Sequence, residues 1–132
     1  AHLNELQLLS KKVLVCEDDS ANSLIIRKIL ERMGLKTISA MDGQEALDIL
    51  QKDWQQIDLV FMDIEMPKHN GIEVATQIHQ NIPLFNVPII ALTANNTEQD
   101  REKCQAAGMK GFLIKPINKK KLQSQLNQWL QS

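Results

Sequence analysis

Apolar residues along the chain follow two patterns, one typical of β-strands and one typical of helices. Together the two patterns predict five strand–helix pairs. Short apolar runs that suit strands of a parallel sheet occupy residues 12–16, 57–62, 87–92 and 110–114, and residues 35–40 alternate between apolar and polar like a strand. After each run, apolar residues recur at helical spacing, within residues 20–33, 43–50, 71–80, 97–107 and 118–130. Strands that alternate with helices in this way predict a parallel sheet covered on both faces, with right-handed crossovers.

Capping residues support the limits of the predicted helices. Asp19 or Ser20 is a good N-cap for the first helix, and Gly34 provides its stop. We expect this helix to bury the apolar face formed by Leu24, Ile25, Ile29, Leu30 and Met33. Residues 1–11 are interpreted as a linker or lead-in, and residues 12–131 as a single domain.

The composition is that of an ordinary globular domain. The chain has 132 residues, of which 43% are hydrophobic and 23% charged, and its formal net charge is -1. This charge gives no global attraction to nucleic acid or membranes, and the apolar runs are too short to span a bilayer. Cys16 and Cys104 lie in an apolar strand and a helix, so we expect free thiols in a reducing cytosol.

Chemically active side chains follow four of the five predicted strands. They are Glu17 and Asp18 after the first strand, Asp63 after the third, Thr93 after the fourth and Lys115 after the fifth. Carboxyl ends of parallel strands share one edge of the sheet, which is where open α/β sheets bind their ligands. Three acids, one hydroxyl and one lysine are therefore predicted to converge there.

Such a cluster favours phosphoryl transfer. Neighbouring carboxylates raise one another's pKa, and a hard divalent cation relieves the repulsion; oxygen ligands with room for water suit Mg²⁺. Lys115 supplies a positive charge and Thr93 a hydrogen bond for phosphoryl oxygens. Asp63 is then the carboxylate nucleophile, which forms an acyl phosphate.

Four motifs in order resemble those of the response-regulator receiver family: Glu17-Asp18, the segment from Met62 to Pro67, the segment from Ala91 to Asn95, and Lys115-Pro116. The resemblance covers about residues 12–131. It implies a flavodoxin-like (βα)5 doubly wound domain with strand order 2-1-3-4-5. It also implies that Asp63 takes a phosphoryl group from a phosphohistidine, so the domain catalyses its own phosphorylation without being a conventional enzyme.

The resemblance also implies a set of metal ligands. Asp18, Asp63 and the backbone carbonyl of Glu65 would ligate Mg²⁺, for which Mn²⁺ could substitute, and Glu17 would act largely through water. Glu17 departs from the aspartate that is more usual in the family at this position. A cis peptide bond between Lys115 and Pro116 is implied as well.

Two further pairs of residues match positions with known roles in the family. Thr93 and Phe112 correspond to the conformational switch, although Phe112 lacks the hydroxyl of the tyrosine often found there. Glu65 and Asn95 correspond to positions that tune how fast water removes the phosphoryl group.

The family patterns favour a receiver cut from a hybrid sensor histidine kinase. The implied partners are a kinase phosphohistidine domain and a histidine phosphotransfer domain. The domain would lie in the cytoplasm, near the inner membrane only through a parent kinase, and would make no direct contact with nucleic acid. We expect partners to dock beside the loop at Pro116, on a first-helix surface with an outward-facing Ile26 that comprises Ser23, Ile26, Arg27 and Leu30.

Other classes of function stay open at this point. One is a free-standing receiver, or the receiver half of a DNA-binding regulator. Another is a protein-binding pseudo-receiver that is never phosphorylated. A flavin site is disfavoured because the loop after the first strand is acidic, and an aspartate phosphatase because the chain lacks room for a cap domain.

Overall fold

The computed structural model describes residues 10–130 and contains five strands and five α-helices. Residues 1–9 of the predicted lead-in and residues 131–132, the first of which belongs to the predicted domain, lie outside the described part. The strands are β1 (Lys12–Cys16), β2 (Lys36–Ala40), β3 (Leu59–Asp63), β4 (Ile89–Thr93) and β5 (Gly111–Ile114). The helices are α1 (Ser20–Arg32), α2 (Gly43–Asp53), α3 (Gly71–Asn81), α4 (Glu98–Ala106) and α5 (Lys119–Trp129), with a 3₁₀ turn at Trp54–Gln56.

All strand pairings are parallel, in the order β2-β1-β3-β4-β5, which confirms the predicted flavodoxin-like fold. The register brings the strand ends to one edge, because Cys16 lies beside Met62, Asp63 beside Leu92, and Thr93 beside Ile114. The cluster residues, which lie at or just after these ends, are therefore neighbours in space.

The sheet separates two apolar cores. On one face, α2, α3 and α4 pack on inward residues such as Leu14, Val60 and Ala91. On the other face, α1 and α5 pack on residues such as Val15 and Phe61. Within residues 10–130, no helix has the length and apolar character needed to cross a membrane.

The predicted buried face of α1 is partly wrong. Its buried residues are Ser23, Ile26 and Leu30, whereas Leu24 is 47% and Ile25 53% exposed. Three consecutive apolar residues, 24–26, allow two phases of the helix, and hydrophobicity alone does not choose between them. The sheet selects the stripe at positions 23, 26 and 30, where Ser23 is small enough to fit.

Two strands end one residue later than predicted. Asp63 and Thr93 are the last residues of β3 and β4 rather than the first residues of the loops. The Ile64 amide continues the parallel ladder by donating to the Leu92 carbonyl at 3.1 Å. The parallel pairing of β3 with β4 therefore continues past Asp63 and fixes its backbone on both sides.

The loop after β3, residues 64–70, rests against the N-terminus of α2. The Gly43 amide donates to the Pro67 carbonyl at 3.2 Å, and the backbone carbonyl of His69 occupies the space that a Cβ at position 43 would need. Lys68 has a positive φ of 70° and pairs with Asp42 at 3.4 Å. Only glycine fits at position 43 without displacing this loop.

Candidate functional site

Asp63 lies at the carboxyl end of β3 with only 3% of its surface exposed. One carboxylate oxygen, Oδ2, accepts a hydrogen bond from Lys115 Nζ at 2.7 Å. The other, Oδ1, accepts one from the backbone amide of Glu65 at 2.9 Å. Both oxygens are thus oriented by groups from two different loops at the sheet edge.

Glu17 and Asp18 complete the acidic cluster. Glu17 is fully buried beside β2, where its amide donates to the Ala40 carbonyl, and its Oε1 accepts from Lys115 Nζ at 2.9 Å. Asp18 is exposed. Ligand oxygens of Glu17, Asp18 and Asp63 all lie within 4.8 Å of one another. The predicted convergence of these acids and Lys115 on one edge is therefore confirmed.

The cluster carries more negative charge than its lysine neutralises. Burial, followed by the neighbouring Asp63, raises the pKa of Glu17 to about 7, although Lys115 opposes the shift. Burial by itself would lower the pKa of Lys115, but its bonds to Asp63 and Glu17 outweigh this effect and raise it. Lys115 therefore stays protonated, and its positive charge lies between two buried carboxylates.

The donor set fits a magnesium ion. All ligand atoms in the cluster are carboxylate oxygens, and the exposed Asp18 leaves the site open to solvent. Three carboxylates lie beside a single lysine here, and a divalent cation would balance this negative charge. Glu65 has an exposed side chain, and the role of its backbone carbonyl as a ligand stays a prediction.

Thr93 is buried at the same edge, with 1% exposure. Its hydroxyl accepts from the Asn95 amide at 3.1 Å and lies 3.3 Å from the Asn95 carbonyl. Its own carbonyl accepts from the Lys115 amide at 2.7 Å. The hydroxyl is thus engaged in the turn after β4, and Asn95 itself is exposed.

Phe112 lies on β5 and is half-buried against the α2–α3–α4 core. The guanidinium of Arg101 stacks on its ring, 4.7 Å from the centroid, and Arg101 Nε donates to Asn96 at 3.0 Å. The predicted cis peptide between Lys115 and Pro116 is confirmed.

The predicted partner surface on α1 needs correction. Ser23, Ile26 and Leu30 are buried, Ile26 with 2% exposure, so their side chains offer a partner almost no surface. Arg27 is half-buried and donates to the Ser23 hydroxyl at 3.2 Å. The error follows from the helix phase, because Ile25, one position earlier, is the isoleucine that faces out.

A groove of about 380 Å³ lies between α1 and the loop after β5. Besides the catalytic candidates Glu17 and Lys115, its walls are Asn22, Ile25, Ile26, Pro116 and Ile117. The sequence analysis named Ile26 and Pro116, which line this groove, but missed Asn22, Ile25 and Ile117. The groove opens directly onto the acidic cluster, since the two share Glu17 and Lys115.

The chain is similar to signalling proteins over most of its length. Residues 13–127 match the family model described as the response regulator receiver domain. The osmosensing histidine protein kinase SLN1 of Saccharomyces cerevisiae is 36% identical over 124 residues. That match covers 91% of this chain but only 10% of the length of SLN1.

Two solved structures extend the likeness to the backbone. The receiver domain of the Pseudomonas aeruginosa sensor histidine kinase PA1611, with magnesium in its active-site cleft, has a TM-score of 0.83 and 32% identity; the match covers 93% of this chain and 99% of that one. The receiver of Saccharomyces cerevisiae Ssk1, crystallised with the histidine phosphotransfer protein Ypd1, has a TM-score of 0.84 and 30% identity, covering 92% and 90%.

The family match spans nearly all of the chain, and the strand order agrees with it. The acidic cluster and its lysine lie where the family motifs predict them. The chain therefore belongs to the response-regulator receiver family and is a receiver domain of two-component signalling.

Proposed function

We propose that Asp63 accepts a phosphoryl group from a phosphohistidine and that the other residues of the cluster stabilise this transfer. The observation that carries the proposal is the Asp63 carboxylate, fixed by Lys115 Nζ and the Glu65 amide, beside the acids Glu17 and Asp18. A buried, oriented carboxylate next to one firm positive charge is suited to attack on phosphorus.

In the transfer, an Asp63 oxygen forms a bond to phosphorus while the bond from phosphorus to the histidine ring nitrogen breaks, and its electron pair stays on the imidazole. Lys115 moves from neutralising the free carboxylate to neutralising a phosphoryl oxygen. The Thr93 hydroxyl exchanges its bond with Asn95 for one to the phosphoryl group. Mg²⁺, held by Glu17, Asp18 and Asp63 with the Glu65 carbonyl, would supply further charge neutralisation when bound.

We extend the proposal to the response that follows phosphorylation. Once the Thr93 hydroxyl leaves the turn, Phe112 moves inward into the vacated space and gives up its stacking on Arg101. Because Phe112 has no hydroxyl, this movement is driven by packing alone. Glu65 and Asn95, both exposed beside the site, control how water reaches the phosphoryl group.

We further propose that the phosphohistidine is delivered through the groove between α1 and the loop after β5. The donor is a domain that carries the histidine, as in a kinase or a histidine phosphotransfer protein. The exposed Ile25 and the half-buried Ile117 give the groove an apolar wall, and Glu17 and Lys115 join it to the reacting carboxylate. The likeness to the Ypd1-bound Ssk1 receiver supports this choice of partner.

The parent protein, in this proposal, is a hybrid sensor histidine kinase, and the domain acts on the cytoplasmic side of the membrane. The support is the similarity to SLN1, of which the chain spans 10%. The alternative of a free-standing receiver would leave the chemistry at Asp63 unchanged.

Incubation with acetyl phosphate and Mg²⁺ tests the transfer. We expect the intact mass to rise by one phosphoryl group, and the gain to be absent in Asp63→Asn, which preserves the size of the side chain but replaces the nucleophilic carboxylate by an amide. Asp58→Asn, at a carboxylate that binds the Lys12 amide far from the cluster, is the matched control and should be phosphorylated normally. Unmodified wild-type protein under these conditions would favour the pseudo-receiver; repeating the reaction with Mn²⁺ tests whether that ion substitutes.

A further inference from the structure

Lys121, in the first turn of α5, bridges the backbone on both sides of Lys115. Its Nζ donates to the carbonyl of Ile114 at 2.7 Å and to the carbonyl of Pro116 at 2.9 Å. These carbonyls belong to the residues immediately before and after the lysine that contacts Asp63. The Lys121 ammonium is thus attached to the segment that carries Lys115, and not to the reacting groups themselves.

The two hydrogen bonds of the Lys121 side chain, called the Lys121 bridge below, add to other contacts that hold the backbone of Lys115 in place. On the sheet side, the Lys115 amide donates to the Thr93 carbonyl at 2.7 Å. On the helix side, the Lys121 amide is bound by the N-cap Asn118 at 2.9 Å, which ties the backbone of Lys121 to the start of α5. Segment 114–116 is therefore fixed between β4 and α5. Its contact with α5 includes the Lys121 side chain.

Local helix energetics disfavour a lysine at this position. The N-terminus of a helix carries a partial positive charge, so cations in the first turn are unfavourable. Helices α2, α3 and α4 each place acids in the first turn, whereas α5 begins with Lys119, Lys120 and Lys121 and has no acid there. Local rules are most often broken where function requires it. Of the three lysines, Lys119 and Lys120 are exposed, and Lys121 is half-buried over the loop.

We propose that Lys121 is a positioning residue that holds the Lys115 ammonium at the distance from Asp63 needed for phosphoryl transfer. This inference rests on the proposed function of Asp63. Without the bridge, the loop after β5 is free to shift, and Lys115 spends less time within bonding distance of Asp63 and of the incoming phosphoryl oxygen. Small displacements of a positioned charge lower transfer rates strongly.

The test is a double-substitution cycle on the 132-residue chain. The apparent second-order rate constant for phosphorylation by acetyl phosphate with Mg²⁺ is measured by intact mass. Lys121→Met keeps the aliphatic stem but removes the donors, and we expect about a tenfold decrease in the rate constant. Lys120→Met, at the exposed neighbour, is the matched control and should react like the wild type. In a Lys115→Ala background, Lys121→Met should cost less than about twofold, because the two residues act as one unit.

A loss of the same size in both backgrounds would overturn the proposal, since it would show a general structural effect that does not pass through Lys115. Equal rates for Lys121→Met and Lys120→Met would overturn it as well. If wild-type protein takes up no phosphoryl group, the function of Asp63 fails; if it does and only the cycle fails, the positioning role alone is wrong.

A measurement on the unmodified chain covers the case in which Lys121→Met does not fold. Hydrogen exchange of the lysine ammonium groups, followed by ¹⁵N NMR, should be slower for Lys121 than for Lys120 because two carbonyls hold the former. Equal exchange rates would contradict the bridge.

Discussion

The acidic cluster and the groove share Glu17 and Lys115, but different secondary-structure elements form the two regions. The cluster consists of strand ends whose positions are fixed by the sheet register and whose side chains are mostly buried and charged. The groove is lined mainly by helix and loop residues, of which Ile25 and Pro116 are exposed and apolar. In the proposed function, the chemistry is thus placed at the ends of sheet strands and partner recognition on helix and loop residues. Substitutions should therefore separate the two functions.

The largest expected effect distinguishes adjacent isoleucines of α1. Ile26→Asp puts a carboxylate into the core, and we expect the free energy of unfolding to fall by about 3–5 kcal/mol. Ile25→Asp, at a 53% exposed position, should change it by less than about 0.5 kcal/mol. This reverses the expectation from sequence that Ile26 tolerates such a change. Urea denaturation of both variants provides the measurement, and equal stabilities would contradict the helix phase described above.

Loss of the shared lysine should impair the chemistry whatever the donor. Lys115→Met removes the charge paired with Asp63, and we expect phosphorylation by acetyl phosphate and by a phosphohistidine protein to slow by about 100-fold or more. Lys110→Met, at an exposed lysine before β5, is the control. A variant slowed only with the protein donor would assign Lys115 to the groove and not to the cluster.

The buried acid of the cluster should make stability depend on pH. Because the folded pKa of Glu17 is about 7, against an ordinary value of 4.5, the native state binds more protons than the unfolded state between these values. Its contribution to stability therefore falls as pH rises from about 4.5 to 7, by no more than about 3 kcal/mol. In EDTA, the difference in unfolding free energy between Glu17→Gln and wild type should change over this range.

Glu102→Gln, at an exposed glutamate, is the matched control and should change the free energy of unfolding by less than about 0.5 kcal/mol. Adding Mg²⁺ should reduce the pH dependence of the wild type, because a cation favours the ionised carboxylates. A stability difference for Glu17→Gln that is independent of pH would contradict the raised pKa.

The smallest effect isolates recognition. Ile25→Asp should slow phosphotransfer from a phosphorylated histidine phosphotransfer domain by about tenfold, since it places charge in an apolar contact. The rate with acetyl phosphate should not change. Leu24→Asp, 47% exposed but outside the groove, is the matched control. Equal rates for the two variants with the protein donor would exclude the groove as the docking site.

The sequence predicted the fold and the acidic cluster correctly, because the hydrophobic pattern and the parallel sheet each allow one arrangement. The five strand–helix units were predicted because apolar runs and capping residues agree, and the cluster followed because parallel strands bring their ends together. It failed on the face of α1, where residues 24–26 satisfy two helix phases and only packing of Ser23, Ile26 and Leu30 on the sheet decides. Lys121 was missed because, in a run of three lysines, only tertiary structure shows which ammonium meets the carbonyls.

The close contact between Gly43 and the loop after β3 has a practical consequence for engineering. That loop carries the Glu65 amide that orients Asp63, and its other end is fixed on the first residue of α2 without room for a side chain. Inserting a peptide tag or a fluorophore attachment site within residues 64–70, or replacing Gly43, would disturb the reacting carboxylate itself. Reporters for this domain belong on other surface loops.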